Sequence, residues 1–409
     1  MSSATGPALR RVASHGAPPA DNMLIHGDNL EAMRALRRTH EAQVRLAYLD
    51  PPFNSGRAFA EYDDRLSPSS WRNFMHERLL ALAPLMRPDG SVFVEIDDTE
   101  LGTLIELMDE VFGRKNRMSI ITVVRSASTG HKAINPGPVN VTDFVLVYAV
   151  DRKQSPLYPL QRVRKTFDHA YSTFLENPKA PFGEWRFCPL RAQVAQVLGH
   201  DGTRAARKAL GGEAFDQEVV RFALRNPSHV VRFAQPRYDA VGKRVQALID
   251  ASRKRKDQVL CLRRDKLPDF FVRNGNRILF LADKVISTAD GPGLSEPLTN
   301  VWDDLPFQGI AKEGGVKFER NKKPERLLER VLNLGSAPGD LVLDPFVGSG
   351  TTAAVALKMG RSFIGVDAGD HLLSLAVPRL RAVLDGSDQS GIPGNPGERK
   401  RGFRVLEVR

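Results

Sequence analysis

The chain has 409 residues, 42% of them hydrophobic and 26% charged, enough to bury a sizeable core and to form two or three domains. That composition excludes wholesale disorder, collagen and coiled coil, and no apolar run approaches the length of a membrane span. The net charge is +11, and residues 151–289 hold all of the surplus: 27 Lys+Arg against 14 Asp+Glu there, 32 against 34 elsewhere.

Residues 1–20 hold two arginines with no apolar core after them, so a flexible tail is expected rather than a secretory signal. From Asp21 to Val150, strand-like and helix-like stretches alternate. Val44–Leu49 is an apolar strand ending at Asp50. Asn54–Ser70 is polar with no period. Trp71, Phe74, Met75, Leu79, Leu82 and Met86 recur at helical spacing. Pro88-Asp89-Gly90 is expected to turn, Ser91–Ile96 to be a strand and Leu101–Phe112 a helix. Met118–Val124 and Phe144–Tyr148 read as further strands. This rhythm predicts an α/β fold with a parallel sheet covered on both faces.

The rhythm is lost over 151–289, which holds basic helical stretches at Arg204–Leu210 and Val241–Arg255 and the cluster Arg253, Lys254, Arg255, Lys256. A basic surplus confined to one segment is the footprint of a polyanion partner, or else a solvated basic surface. Beyond Gly291 the alternation returns. Pro324–Leu334 reads as a helix, Leu341–Leu343 as a strand ending at Asp344, Thr351–Met359 as a helix stopped by Gly360, and Phe363–Val366 as a strand ending at Asp367. After Asp385 the chain is rich in Gly, Ser and Pro and reads as poorly ordered. The two cysteines, Cys188 and Cys261, make neither a zinc cluster nor a disulfide scaffold. The nine histidines do not cluster at metal-ligand spacing, so no metal is expected. A cytoplasmic address fits this cysteine usage.

Two motifs carry chemistry. In Asp344-Pro345-Phe346-Val347-Gly348-Ser349-Gly350-Thr351-Thr352 a strand ends in an acid, and a glycine-bearing loop leads into a helix. Glycines without a Cβ let the backbone approach a ligand, and the threonines offer hydroxyls at the helix start. Asp367 ends the next strand at a spacing that suits a ribose diol. The pattern is neither G-x-G-x-x-G nor a Gly-Lys-Thr loop, so a ligand with a ribose and no phosphate fits better. The alternative is a tight turn with no ligand.

The second motif is Asp50-Pro51-Pro52-Phe53 at the end of an apolar strand. Two prolines fix the backbone after the acid. That holds the Asp50 carboxylate and the Pro51 carbonyl as rigid acceptors beside the flat face of Phe53. Such a set suits an exocyclic amino group on a planar base. A Pro-Pro turn with a structural aspartate is the alternative.

Together these motifs resemble the β group of amino-directed DNA methyltransferases, close to type III modification subunits. The order is the same: D-P-P-F first, a basic block next, the glycine loop last. Gly27-Asp28-Asn29-Leu30, Trp302-Asp303-Asp304 and Lys323-Pro324 agree with the same family. The resemblance covers about 21–150 and 291–380. It implies a Rossmann-like S-adenosylmethionine-dependent methyltransferase sheet with helices on both faces and an inserted basic target-recognition domain. The implied organisation is a tail over 1–20, a catalytic half over 21–150, the recognition domain over 151–289, a cofactor half over 290–385 and a tail over 386–409.

The resemblance also implies roles. Asp344, Phe346, Gly348, Ser349, Gly350, Thr351 and Thr352 would surround S-adenosylmethionine, with Asp367 on its ribose, Asp28 at its adenine and Lys323 near its methionine part. Asp50, Pro51, Pro52 and Phe53 would hold a flipped base, with Asn54 and Ser55 bordering the DNA strand. Arg253, Lys254, Arg255 and Lys256 would contact phosphate. Residues 54–70 would be a mobile loop ordering around the base. Adenine N6 is the first expectation and cytosine N4 the alternative; methylation of RNA or a protein amide, or a non-catalytic DNA-binding role, fits the motifs less well. Cytosine C5 chemistry needs a Pro-Cys thiolate, and Cys188 precedes its proline instead. The implied partners are double-stranded DNA, a second copy of the chain and a separate restriction subunit, with no membrane, at the nucleoid of a bacterial cytoplasm. Trp302 is expected to pack, and Lys322 to be exposed beside Lys323.

Overall fold

The computed structural model describes residues 7–18, 20–56, 65–126, 138–265, 267–288, 291–316, 322–394 and 402–409. The chain forms two compact units, one from 1–160 with 299–409 and one from 161–298. The expected insert, 151–289, is thus displaced by about ten residues at each end, to Gln161–Leu298.

The first unit is built on a ten-stranded sheet. Its strands are β1 (Leu9–His15), β2 (Asn22–His26), β3 (Val44–Leu49), β4 (Met86–Ile96), β5 (Arg117–Val124), β6 (Thr142–Ala149), β7 (Val301–Trp302), β8 (Leu341–Asp344), β9 (Ser362–Asp367) and β10 (Phe403–Val408). Their order is β1-β10-β2-β9-β8-β3-β4-β6-β5-β7. The sheet is mixed rather than parallel as expected: β6 runs against both β4 and β5, and β1 runs against β10. The six strands from β10 to β4 are parallel.

The two expected tails are corrected here. Residues 9–15 and 403–408 pair with each other, and β10 also pairs with β2, so both ends of the chain extend the sheet. Pro88-Asp89-Gly90 is a further correction, since it lies inside β4 rather than in a turn. A register shift between Val44 and Leu46 on β3 accommodates it. The helical period read as far as Met86 stops at Leu82, and a short 3₁₀ turn carries the chain into β4.

The helices of this unit are α1 (Asn29–His40), α2 (Pro68–Leu82), α3 (Leu101–Met108), α4 (Glu325–Gly335), α5 (Thr351–Lys358) and α6 (Val377–Asp385). Successive residues of a strand face opposite ways. Val92, Val94 and Ile96 of β4 pack in one core with Met33 of α1, Trp71 and Met75 of α2 and Leu104 of α3. Phe93 points the other way, where a Cβ on Gly335 at the end of α4 would lie 2.8 Å from its ring and 2.5 Å from Leu46. Glu95 and Tyr48 share that second face. Their shared face sets up the site.

The second unit has a six-stranded antiparallel sheet in the order Val259–Leu262, Phe270–Arg273, Asn276–Phe280, Val230–Ala234, Thr173–Leu175, Phe187–Pro189. Among the described residues four α-helices accompany it: Leu190–Val197, Gly202–Leu210, Gly212–Arg225 and Lys243–Lys254. One core gathers Phe174, Leu190, Phe215 and Val219; a smaller one gathers Val231, Val259 and Ile278 under a layer of aromatic rings.

Candidate active site

Carboxylates meet at the carboxyl ends of adjacent parallel strands. In spatial order these are Asp28 just after β2, Asp367 on β9, Asp344 on β8, Asp50 just after β3, and Glu95 on β4 followed by Asp97. Open parallel sheets bind ligands at this edge, where the strand ends leave a crevice. A cavity of about 620 Å³ opens there, lined by Asp28, Asp50, Phe53, Asp344, Gly348 and Asp367 among others. The structure therefore brings both sequence motifs to one place.

The D-P-P-F segment is held from behind. The indole of Trp71, fully buried on α2, donates from Nε1 to the Pro52 carbonyl at 2.8 Å. Asn54 takes a left-handed backbone, φ +59°, and its Nδ2 donates to Glu100 at 2.8 Å. Lys323, expected near the methionine part of the cofactor, lines the cavity and places Nζ 2.9 Å from Asp50 Oδ1 and 3.1 Å from Glu95 Oε1. The same ammonium stands 4.9 Å from the centre of the Phe53 ring. Glu95 is wholly buried and accepts a hydrogen bond from the Tyr48 hydroxyl. Burial pushes the Asp50 carboxyl up to about 7; Lys323 pulls against that shift and Glu95 adds to it. Asp143, on β6 and paired with Arg125 at 3.1 Å, is raised by burial to about 6.

The glycine loop is ordered by its own acid. Asp344 Oδ1 accepts from the Phe346 amide at 2.9 Å, and Oδ2 accepts from the Thr352 hydroxyl at 2.5 Å. Burial nevertheless raises the Asp344 carboxyl to about 7. Asp367 accepts from the amides of Gly348 and Gly369, each at 2.9 Å, and pairs with His371 at 3.0 Å. The two glycines differ in purpose. Gly348, at φ +51°, has only the Phe346 carbonyl within 4 Å of a Cβ position, at 3.9 Å, so it borders open space. At Gly350, φ +80°, a Cβ would lie 2.9 Å from the Ala376 side chain, so packing against Ala376 by itself requires a glycine here. Thr351 and Ser349 are buried, and the Thr351 hydroxyl accepts from Arg379 at 2.8 Å.

Asp28 caps α1 by accepting from the Glu31 amide at 3.1 Å, and it pairs with Arg78 at 2.9 Å. Arg78 also donates to Asn29, lies 3.5 Å over the Phe74 ring, and so joins α1 to α2 beside the cavity. Asn29 in turn donates to the Pro345 carbonyl at 2.8 Å, across 316 positions of sequence.

Sequence reasoning missed Glu95, Tyr48, Arg78 and Asp143. Glu95 left a signal, as a lone charge inside the apolar run Val92–Ile96. Lys322 is a correction: it is buried, not exposed, and donates to the carbonyls of Val316, at 2.9 Å, and Glu313. Trp302 packs, fully buried, with its indole N–H on the Thr299 carbonyl at 3.0 Å. Asn54 and Ser55 sit beside Phe53 and are half-buried. Residues 57–64 of the expected mobile loop lie outside the described residues. In the second unit Arg253, Lys254, Arg255 and Lys256 are all exposed at the end of the helix Lys243–Lys254.

A DNA methylase family model for N6 and N4 enzymes matches residues 44–378. The chain is 30% identical over 408 residues to the probable type III restriction-modification enzyme HindVI Mod subunit of Haemophilus influenzae, across 91% of this chain and 52% of that protein. It is 27% identical to the type II methyltransferase M.EcaI of Enterobacter cloacae, across 85% of this chain and 66% of that protein. Identity to the type III StyLTI Mod subunit of Salmonella typhimurium is 26%, across 83% and 50%. The chain thus spans between half and two thirds of the length of these relatives.

Proposed function

This chain belongs to the DNA methylase family, and from that premise we propose that it moves a methyl group from S-adenosylmethionine to the exocyclic amino nitrogen of a base in DNA, adenine N6 in the first place. The observation that carries the reading is the adjacency of Asp50 and Asp344. Their strands β3 and β8 are paired neighbours, so an amino-group site and a glycine-loop site share one cavity.

The residues present fit S-adenosylmethionine. The volume of about 620 Å³ suits a ligand of that size. Gly348 leaves open space where any other residue would put a Cβ. Asp28 and Asp367 supply acceptors for hydroxyl and amino groups, and Phe346 supplies an apolar wall. When bound, the cofactor provides an electrophilic methyl group on a sulfonium.

The protein's own part is positioning and electrostatics. The target nitrogen is a poor nucleophile because its lone pair is delocalised into the ring. Asp50 and the Pro51 carbonyl accept its hydrogens, favour a more tetrahedral nitrogen and stabilise the positive charge that grows there. Phe53 holds the base plane. Asp50 then receives the proton that the methylated nitrogen must lose. Reaching this pocket requires the base to leave the duplex stack.

The same reading assigns duplex DNA binding to the basic segment Gln161–Leu298. Its surplus of lysine and arginine supports that, because phosphate contacts displace counterions. A homodimer, a restriction subunit on a separate chain and a bacterial cytoplasmic location at the nucleoid belong to the proposal on the strength of the family resemblance.

The test is to incubate the protein with unmethylated genomic DNA and S-adenosylmethionine, digest to nucleosides and identify the product by mass spectrometry. N6-methyladenine is expected. N4-methylcytosine would change the base and leave the cavity's roles intact. Neither product, with cofactor bound, would overturn the substrate.

A further inference from the structure

Lys323 stands where the preceding proposal puts the substrate. Three contacts define its ammonium: Asp50 Oδ1 at 2.9 Å, Glu95 Oε1 at 3.1 Å and the Phe53 ring face at 4.9 Å. The first is a contact assigned to the target amino group, and the third is the ring assigned to hold the base plane. An ammonium and an exocyclic amino group are both nitrogen donors of similar size, and each wants a carboxylate oxygen at hydrogen-bond distance. Both cannot occupy the position 2.9 Å from Asp50 Oδ1.

The two carboxylates are not equivalent. The Asp50 side chain is 20% exposed and that of Glu95 is 0%. Glu95 is also held by the Tyr48 hydroxyl. A wholly buried carboxylate left without its cation is strongly disfavoured, whereas one at a cavity wall can exchange a cation for another donor. On that ground the ammonium costs less to exchange off Asp50 than off Glu95.

We propose, resting on the base-pocket reading above, that Lys323 is a positioning residue that fills the amino-group subsite when no base is present and yields it by shifting onto Glu95. In the empty enzyme it shields the Asp50 carboxylate and covers the Phe53 face. Base entry then exchanges the ammonium on Asp50 for a neutral N–H donor, while the ammonium keeps a charge partner in Glu95. The subsite also gains selectivity: a base without an amino group cannot replace the ammonium on Asp50.

The test uses ligand-observed NMR with the full chain saturated with S-adenosylhomocysteine. The probes are 9-methyladenine, 1-methylcytosine and 9-methylpurine, which lacks the amino group. Lys323→Met should raise affinity for the amino-bearing base about fivefold or more, because the competing occupant is gone, and leave 9-methylpurine unchanged. Glu95→Gln weakens the retreat position and should lower the amino base's affinity about threefold. This second variant decides the matter by itself if the first does not fold. S-adenosylmethionine affinity by calorimetry should stay within about twofold in both. Unchanged base affinity in Lys323→Met, or in a folded Glu95→Gln, would overturn the placeholder alone. A large loss of cofactor affinity in Lys323→Met would overturn it too, and would put Lys323 in the cofactor site. Binding of no amino base to any form would overturn the subsite and the proposed function together.

Discussion

Asp50 is asked to be an acceptor inside a partly closed cavity, and its surroundings make that conditional on pH. Burial raises its carboxyl to about 7, so the ionised carboxylate that can stabilise positive charge and take a proton is the main form only above that range. We expect kcat/KM to rise with pH through about 7, and a pH–rate profile flat from 5 to 8 would remove Asp50 from the chemistry. Asp50→Ala should keep cofactor binding in calorimetry and lose methyl transfer by a factor of about a hundred or more. Gly348→Val should weaken cofactor binding, because a branched side chain would enter open space beside Asp367 at a left-handed φ of +51°. Unchanged affinity would take that loop out of the site. Asp344 tests the other acid. Its folded value of about 7 lies above the ordinary 3.8, so the folded state holds a proton the unfolded chain releases. Its contribution to stability is full below pH 3.8 and is lost as pH rises to about 7. Asp344→Asn should flatten the pH dependence of the urea midpoint in that window, by up to about 1.4 kcal/mol per pH unit. These residues were legible because their chemistry is local. An acid after a strand, two prolines and a glycine loop carry their geometry within nine residues of sequence.

At the scale of elements, helix α4 joins the glycine loop to the C-terminal segment. Glu325, wholly buried at its start, pairs with Arg379 and Lys358, each at 2.8 Å, and accepts from the Ile392 amide at 3.0 Å. Arg379 passes the connection on to the Thr351 hydroxyl of the glycine loop. Glu325→Ala leaves Arg379 without that carboxylate and should cost about 3–5 kcal/mol in urea denaturation. A loss below about 1 kcal/mol would show that water or Asp388 replaces it. Strands and helices were readable where one period held without interruption, as in Val44–Leu49 and Trp71–Leu82. Reading failed at Pro88-Asp89-Gly90. The turn propensity is real, but pairing of β4 with β3 recruits those residues into the sheet and absorbs them as a register shift. Tertiary pairing outweighs local preference when a whole ladder depends on it.

At the scale of the molecule, the basic surplus is the feature most open to a salt experiment. Replacing Arg253, Lys254, Arg255 and Lys256 with glutamine should weaken DNA binding and flatten the dependence of log K on log salt by up to about 3.6, if all four meet phosphate. Fluorescence anisotropy across a salt series would measure it, and an unchanged slope would take the cluster off the phosphates. The sheet itself unites distant chain. Its neighbouring strands β2 and β10, and β3 and β8, come from opposite ends of the sequence, which is why one cavity needs both halves.

The amino-acid order alone determined which residues could do chemistry here, in what sequence, and that a basic segment interrupts an α/β domain. Those properties reside in short stretches whose backbone and side chains act together. Only the tertiary structure decided that the terminal segments close the sheet, that Gly350 serves packing, that Lys322 is buried and that Lys323 lies on Asp50. The first and last of those depend on what a residue meets hundreds of positions away, and the other two on nearer neighbours that only folding brings into contact. A buried charge selects its partner by proximity in space, and the fold alone sets that proximity.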